Sequence, residues 1–163
     1  MASIFADLSV KDLFPTPLWV ADLEAKLAAR LNAELAATIA ELVEPRPQIP
    51  LGSTWQTTPM LHKHDRFAEF CGLVRKAGAA AIAFLDLKQR DFEITGCWAN
   101  INPTGGFNSH HTHPNNFLSG VYYVSLPENS GQIVFADPRP QACLLYTSPS
   151  PRDRTRSRMP SSA

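Results

Sequence analysis

The sequence predicts an α+β protein, with helices in its first half and an antiparallel sheet in its second. Three observations carry that expectation. Apolar residues recur at helical spacing between positions 23 and 85. Prolines and glycines interrupt the chain near 45–50 and 103–106. After Asp91 the composition turns to short β-branched and aromatic runs. Helices followed by a run of strands indicate segregated layers rather than alternating βα units.

Leu13 to Val20, LFPTPLWV, has two prolines in an apolar run and reads as an edge strand or extended entry segment. Asp22 is placed to cap a helix over about Leu23 to Glu44, with a stripe of Leu23, Leu27, Leu31, Leu35, Ile39 and Leu42. Pro45, Pro47 and Pro50 end it, because proline lacks the amide hydrogen and clashes with the preceding turn. A loop then leads to a second helix over Asp65 to about Leu85, with Phe67, Phe70, Cys71, Val74, Ile82 and Leu85 on one face. Both stripes read as packing surfaces.

Phe92 to Asn102 is a strand candidate, and Pro103 to Gly106 a turn. Phe107 to His113 leads into a histidine cluster. Phe117 to Leu126 reads as a buried strand, Pro127 to Gly131 as a turn, and Gln132 to Ala136 as a further strand.

The chain has 163 residues and 44% hydrophobic composition, which suits one modest domain. No apolar run is long enough to span a bilayer, and the first residues lack the pattern of a secretory signal. Cys71, Cys97 and Cys143 are odd in number and have no CxxC spacing, so reduced thiols in a cytoplasmic protein are expected.

Composition breaks after Ala142. Cys143 to Ala163 reads CLLYTSPSPRDRTRSRMPSSA. Its first eleven residues are encoded by a DNA string that resembles a transposase-based sequencing-library adapter, and its last seven by one that resembles the far end of that adapter. Residues 143–163 are therefore expected to be non-native, and residues 1–142 to be a partial domain, helical to about residue 90 and β beyond about 91. The formal net charge of the whole chain is zero. Without the tail's four arginines and one aspartate, 11 basic and 14 acidic residues remain, about −3. That balance argues against a nucleic-acid partner, and no membrane partner is expected.

His110, His111 and His113 fall within four residues. On extended backbone His111 and His113 share a face and His110 takes the other. Two neutral imidazoles on one face suit a divalent metal. The pair lies between a Gly-Gly turn and Pro114, just before the strand candidate at Phe117. His62 and His64 share the spacing but precede a helix cap, and read as solvated surface. The metallo-β-lactamase pattern continues to an aspartate and another histidine, where this chain has Pro114-Asn115-Asn116, and an amidohydrolase barrel needs a longer chain.

Leu13 to Trp19, Trp55, Trp98 to Asn102 and the block HTHPNNFLSGVYYVSLPENSGQIVFADPR together resemble a family of 2-oxoglutarate- and iron(II)-dependent oxygenases of marine bacteria and their phages. The resemblance implies N-terminal helices packed on a double-stranded β-helix, the jelly roll, left incomplete in this chain. It implies His111 and His113 as metal ligands, Tyr123 as a contact to 2-oxoglutarate, and iron(II) as the metal. His113 stands where the wider superfamily has a carboxylate. The distal histidine and the basic anchor for 2-oxoglutarate are expected beyond Arg139, where the native sequence stops, so no residue here is assigned as catalytic.

Tyr122 reads as strand packing, and Trp55 and Trp98 as core. Asn100, Asn102 and Asn108 serve either the site or turns, and Asp137 and Arg139 either pair locally or shape the barrel mouth. The function implied is hydroxylation by an oxygenase present as an inactive fragment. A cupin-like metal- or sugar-binding module without oxygenase activity, or a structural jelly roll without chemistry, stays open. Neither the substrate nor the oligomeric state is legible.

Overall fold

A computed structural model describes residues 15–45, 47–88, 91–137 and 145–147. Two helices dominate: α1 at Ala25–Leu42 and α2 at Ala68–Phe84. Four short strands accompany them: β1 at Trp55–Gln56, β2 at Asn100–Ile101, β3 at Val134–Ala136 and β4 at Leu145–Thr147. The molecule is therefore mixed α+β. Its strands form two separate antiparallel pairs, β1 with β2 and β3 with β4.

α1 begins two residues later than an Asp22 cap requires. Glu24 is the cap, its carboxylate accepting from the amides of Lys26 at 3.0 Å and Leu27 at 3.2 Å. The expected stripe is only partly buried. Leu31 and Leu35 are almost fully enclosed, whereas Leu42, at the proline-bounded end, is exposed. Thr38 is also enclosed, because its hydroxyl donates to the Glu34 carbonyl at 2.8 Å and so satisfies itself within the helix.

α2 starts from a 3-10 turn at Asp65–Phe67, whose cap is His64, Nδ1 accepting from the Arg66 amide at 3.2 Å. His62 and His64 are thus half-buried, and the Nδ1 of His62 is enclosed without a partner, which corrects the solvated-surface reading. The reason is the adjoining 3-10 turn at Leu61–Lys63, which sinks Leu61 into the core and draws His62 with it.

The core is Leu31 and Leu35 of α1, Leu61 and Phe67 of the two 3-10 turns, and Cys71 of α2. Each buried leucine contributes on the order of 1.5–3 kcal/mol relative to exposure. Outside, Arg30 pairs with both Glu34 and Glu69, and Arg66 with Glu41, tying α1 to the start of α2. These pairs are exposed and add little.

Two segments from the β half cover the open side of this core: Ile94, Cys97 and Ala99, then Tyr122 and Val124. The Tyr122 hydroxyl donates to Asn32 of α1 at 2.6 Å, and its ring lies 5.2 Å from that of Phe70. Packing is therefore the role of Tyr122, as its sequence context suggests.

The strands are shorter than expected. Phe92 to Asn102 yields only β2, and Gln132 to Ala136 only β3. Phe117 to Leu126 forms no strand, and Phe117 and Val121 are exposed at 69% and 64%. β propensity needs a neighbouring strand to pair with, and no partner for this run lies among the described residues. β4 lies past the composition break at Ala142, and its backbone pairs with β3. Arg139 and Cys143 lie outside the described residues. Among those described, no helix is long and apolar enough to cross a membrane.

Candidate metal centre

The platform for the histidines is the segment 97–101, which is zipped along residues 55–61. Trp55 pairs with Ile101 and Gln56 with Asn100. The Thr57 amide donates to the Ala99 carbonyl at 3.0 Å, and the Ala99 amide to the Thr57 hydroxyl at 2.9 Å. The Cys97 amide donates to the Pro59 carbonyl at 3.2 Å, and the Leu61 amide to that of Cys97 at 3.0 Å. Side chains alternate along such backbone. Cys97 and Ala99 face the helices, so Trp98 faces away from them.

The chain then turns at Pro103–Gly106, where the Gly106 amide donates to the Pro103 carbonyl at 2.8 Å and Gly105 takes a φ of +76°. A Cβ on Gly106 would lie 2.5 Å from the Ser53 carbonyl oxygen, so only glycine lets this turn seat against residue 53. The Thr54 hydroxyl reaches Asn102 beside it, which makes Asn102 a turn residue. Asn100 lies in β2, and Asn108 is exposed with no described contact to the histidines.

Phe107 to His113 forms no strand, yet His111 and His113 meet. Their rings are 4.8 Å apart and their Nε2 atoms 3.0 Å apart. His111 Nδ1 lies 2.7 Å from the Ser109 carbonyl oxygen. A carbonyl can only accept, so Nδ1 carries the proton and Nε2 of the neutral ring presents a lone pair toward His113. The chain leaves His113 through Pro114 and Asn115, whose φ of +65° makes the turn. Asn116 then receives a hydrogen bond from the Thr95 hydroxyl at 2.7 Å. His110 is exposed and takes no described part in the pair.

The donor set can be tested against a divalent metal. Two imidazole nitrogens, each about 2.1 Å from one ion and at right angles, lie about 3.0 Å apart. The observed separation matches that spacing, and it is equally that of a hydrogen bond from the His113 Nε2–H to His111 Nε2. A backbone carbonyl on the remote nitrogen is also the usual orienting partner of a ligating histidine. The set is incomplete, however, since no group of three histidine, cysteine or acidic side chains able to hold a metal occurs among the described residues.

Tyr123 is half-buried, and burial raises its phenol above the ordinary range. Tyr122 and Val124 pack against the helical core, and Tyr123 between them is not part of that cluster. It has no described hydrogen bond or ring contact with the histidine pair, so the structure brings the two imidazoles together and leaves the tyrosine separate.

Sequence reasoning missed one neighbour. Trp98 is not core: it remains 36% exposed and stacks on His113, with ring centroids 5.7 Å apart and planes within 15°. Its parity against Cys97 and Ala99 was the available signal. Trp55 is half-buried in β1.

A family model described as "Putative 2OG-Fe(II) oxygenase" matches residues 96–162. That match supports the oxygenase family. The matched stretch holds Trp98, His111, His113 and Tyr123, leaves both helices outside, and runs on through the adapter-like tail. Iron(II) and 2-oxoglutarate follow at the level of the family. No curated protein and no solved structure gives a significant match.

Proposed function

We propose that this chain carries part of the centre of an iron(II)- and 2-oxoglutarate-dependent oxygenase of the hydroxylase type. The supporting observation is the convergence of the His111 and His113 Nε2 atoms at 3.0 Å, with His111 held in the ligating tautomer by Ser109. His111 and His113 would hold the metal, which when bound supplies the redox chemistry that couples 2-oxoglutarate oxidation to hydroxylation. The chain's own contribution is placement. Ser109 orients one imidazole, and Tyr123 would offer a phenol proton to the co-substrate.

On this reading the centre is incomplete. The third ligand and the 2-oxoglutarate anchor belong to native sequence past Ala142, and residues 143–163 derive from a library adapter. The rest of the reading is a jelly-roll domain, cytoplasmic, with a small-molecule or peptide substrate and no nucleic-acid or membrane partner. A cupin-like binding module is the second reading, favoured by the absence of a third ligand among the described residues.

The chain as it stands is expected to release no succinate when supplied with iron(II), 2-oxoglutarate and oxygen. Succinate formation that His111→Ala abolishes would overturn its incompleteness. In the source genome, codons past 142 are expected to depart from the tail and to encode a further histidine; an intact gene encoding SPSPRD there removes the adapter reading. If that longer gene's product binds metal but forms no succinate, the binding-module reading replaces the oxygenase.

A further inference from the structure

We propose that Trp98 is a positioning residue for the histidine pair, its indole face holding the His113 ring at the angle where its Nε2 meets that of His111. The argument starts from an asymmetry between the two histidines. His111 is oriented through its own Nδ1, which donates to the Ser109 carbonyl. His113 is tied only through its Nε2, whose N–H donates to His111 Nε2; among the described residues its ring otherwise meets only Trp98. That single hydrogen bond leaves the His113 ring free to tilt and twist about it, so a second contact is needed to set its angle.

Trp98 is suited to supply that contact. Both its chain neighbours are hydrogen-bonded to residues 57–61, so its backbone is held on either side. Its neighbours face the core, so its ring stands on the outer face. There it lies nearly parallel to the imidazole, an arrangement that constrains both tilt and distance. Thr95, two residues outside this zipped stretch, reinforces the same relation by bonding Asn116 just past the turn that follows His113. Segment 95–101 thus grips the histidine loop at two points, and only Trp98 touches a ligand ring. A residue conserving core volume would be buried, whereas Trp98 leaves about a third of its surface open.

The proposal rests on the metal reading only for its second readout. In the metal-free full chain, NMR is expected to show His113 ring protons shifted upfield by the indole, and a cross-peak between the His111 and His113 rings. Trp98→Leu removes the aromatic face and is expected to lose both signals, while those of Phe70 and Tyr122 stay in place. Trp98→Phe is expected to retain the cross-peak. In a titration with Ni(II), Trp98→Leu is expected to bind about tenfold more weakly than the wild type, and Trp98→Phe within about threefold. Persistence of the ring–ring cross-peak in Trp98→Leu overturns the proposal. Should that variant fail to fold, Trp98→Phe decides: a folded protein without the cross-peak overturns it, and one that keeps it supports it. If the wild type binds no Ni(II) while the cross-peak still depends on Trp98, the metal reading fails and the positioning role stands.

Discussion

The helical half and the histidine-bearing half of this molecule are held in place by different means. In the first, Leu31, Leu35, Phe67 and Cys71 exclude water from one another across α1 and α2. In the second, Phe107, Phe117 and Val121 lie open to solvent, and the backbone is secured by turns and by a few hydrogen bonds to residues 55–61. The site belongs to the second kind of structure. Its geometry depends on a glycine turn, a backbone carbonyl and an indole face, so it can be disturbed without unfolding the helices.

That contrast can be broken most strongly from the helical side. Leu35→Ala leaves a cavity in the centre of the core and is expected to cost about 2–5 kcal/mol in urea unfolding. Below the transition the His111–His113 contact should survive, and its loss in still-folded protein would show that the halves are not separable. Gly106→Ala attacks the other side. Its Cβ meets the Ser53 carbonyl, so the turn must shift, with an expected loss of about 1–3 kcal/mol. Here the histidine signals should move while helical circular dichroism is kept.

Cys97 sits at the seam between the halves. Burial, reinforced by nearby Cys71, pushes its thiol up to about 11. A thiol whose folded value is raised contributes stability that is complete below its unfolded value near 8.5 and is lost as pH rises toward about 11. The urea midpoint is therefore expected to fall between pH 8 and pH 10.5, and to fall less in Cys97→Ala. An equal decline in both would assign the alkaline loss elsewhere. The smallest effect is expected at Phe117→Ser, within about 0.5 kcal/mol, because that ring is already exposed. Light scattering should nevertheless decrease, as an exposed apolar surface beside unpaired backbone invites association.

The helices were legible to within a few residues because their signal is local. A stripe at 3.6-residue spacing and a proline stop suffice to place Ala25–Leu42 and Ala68–Phe84. The strands were not, because a strand exists only when another pairs with it. Val121 to Val124 has the composition of one and forms none, while Leu145–Thr147, past the break in composition at Ala142, pairs with β3. Composition measures willingness to pair, and only three-dimensional neighbours realise it.

The sequence by itself determined the α+β class, the two helices and the turn at Pro103–Gly106. All of these follow from spacings of a few residues. Only the tertiary structure decided that Tyr122 is spent on Asn32 and Phe70, that His62 is drawn inward, and that Trp98 stands against His113. Each of those joins residues at least nine positions apart or depends on which face of a segment meets the core, and no local pattern encodes that choice.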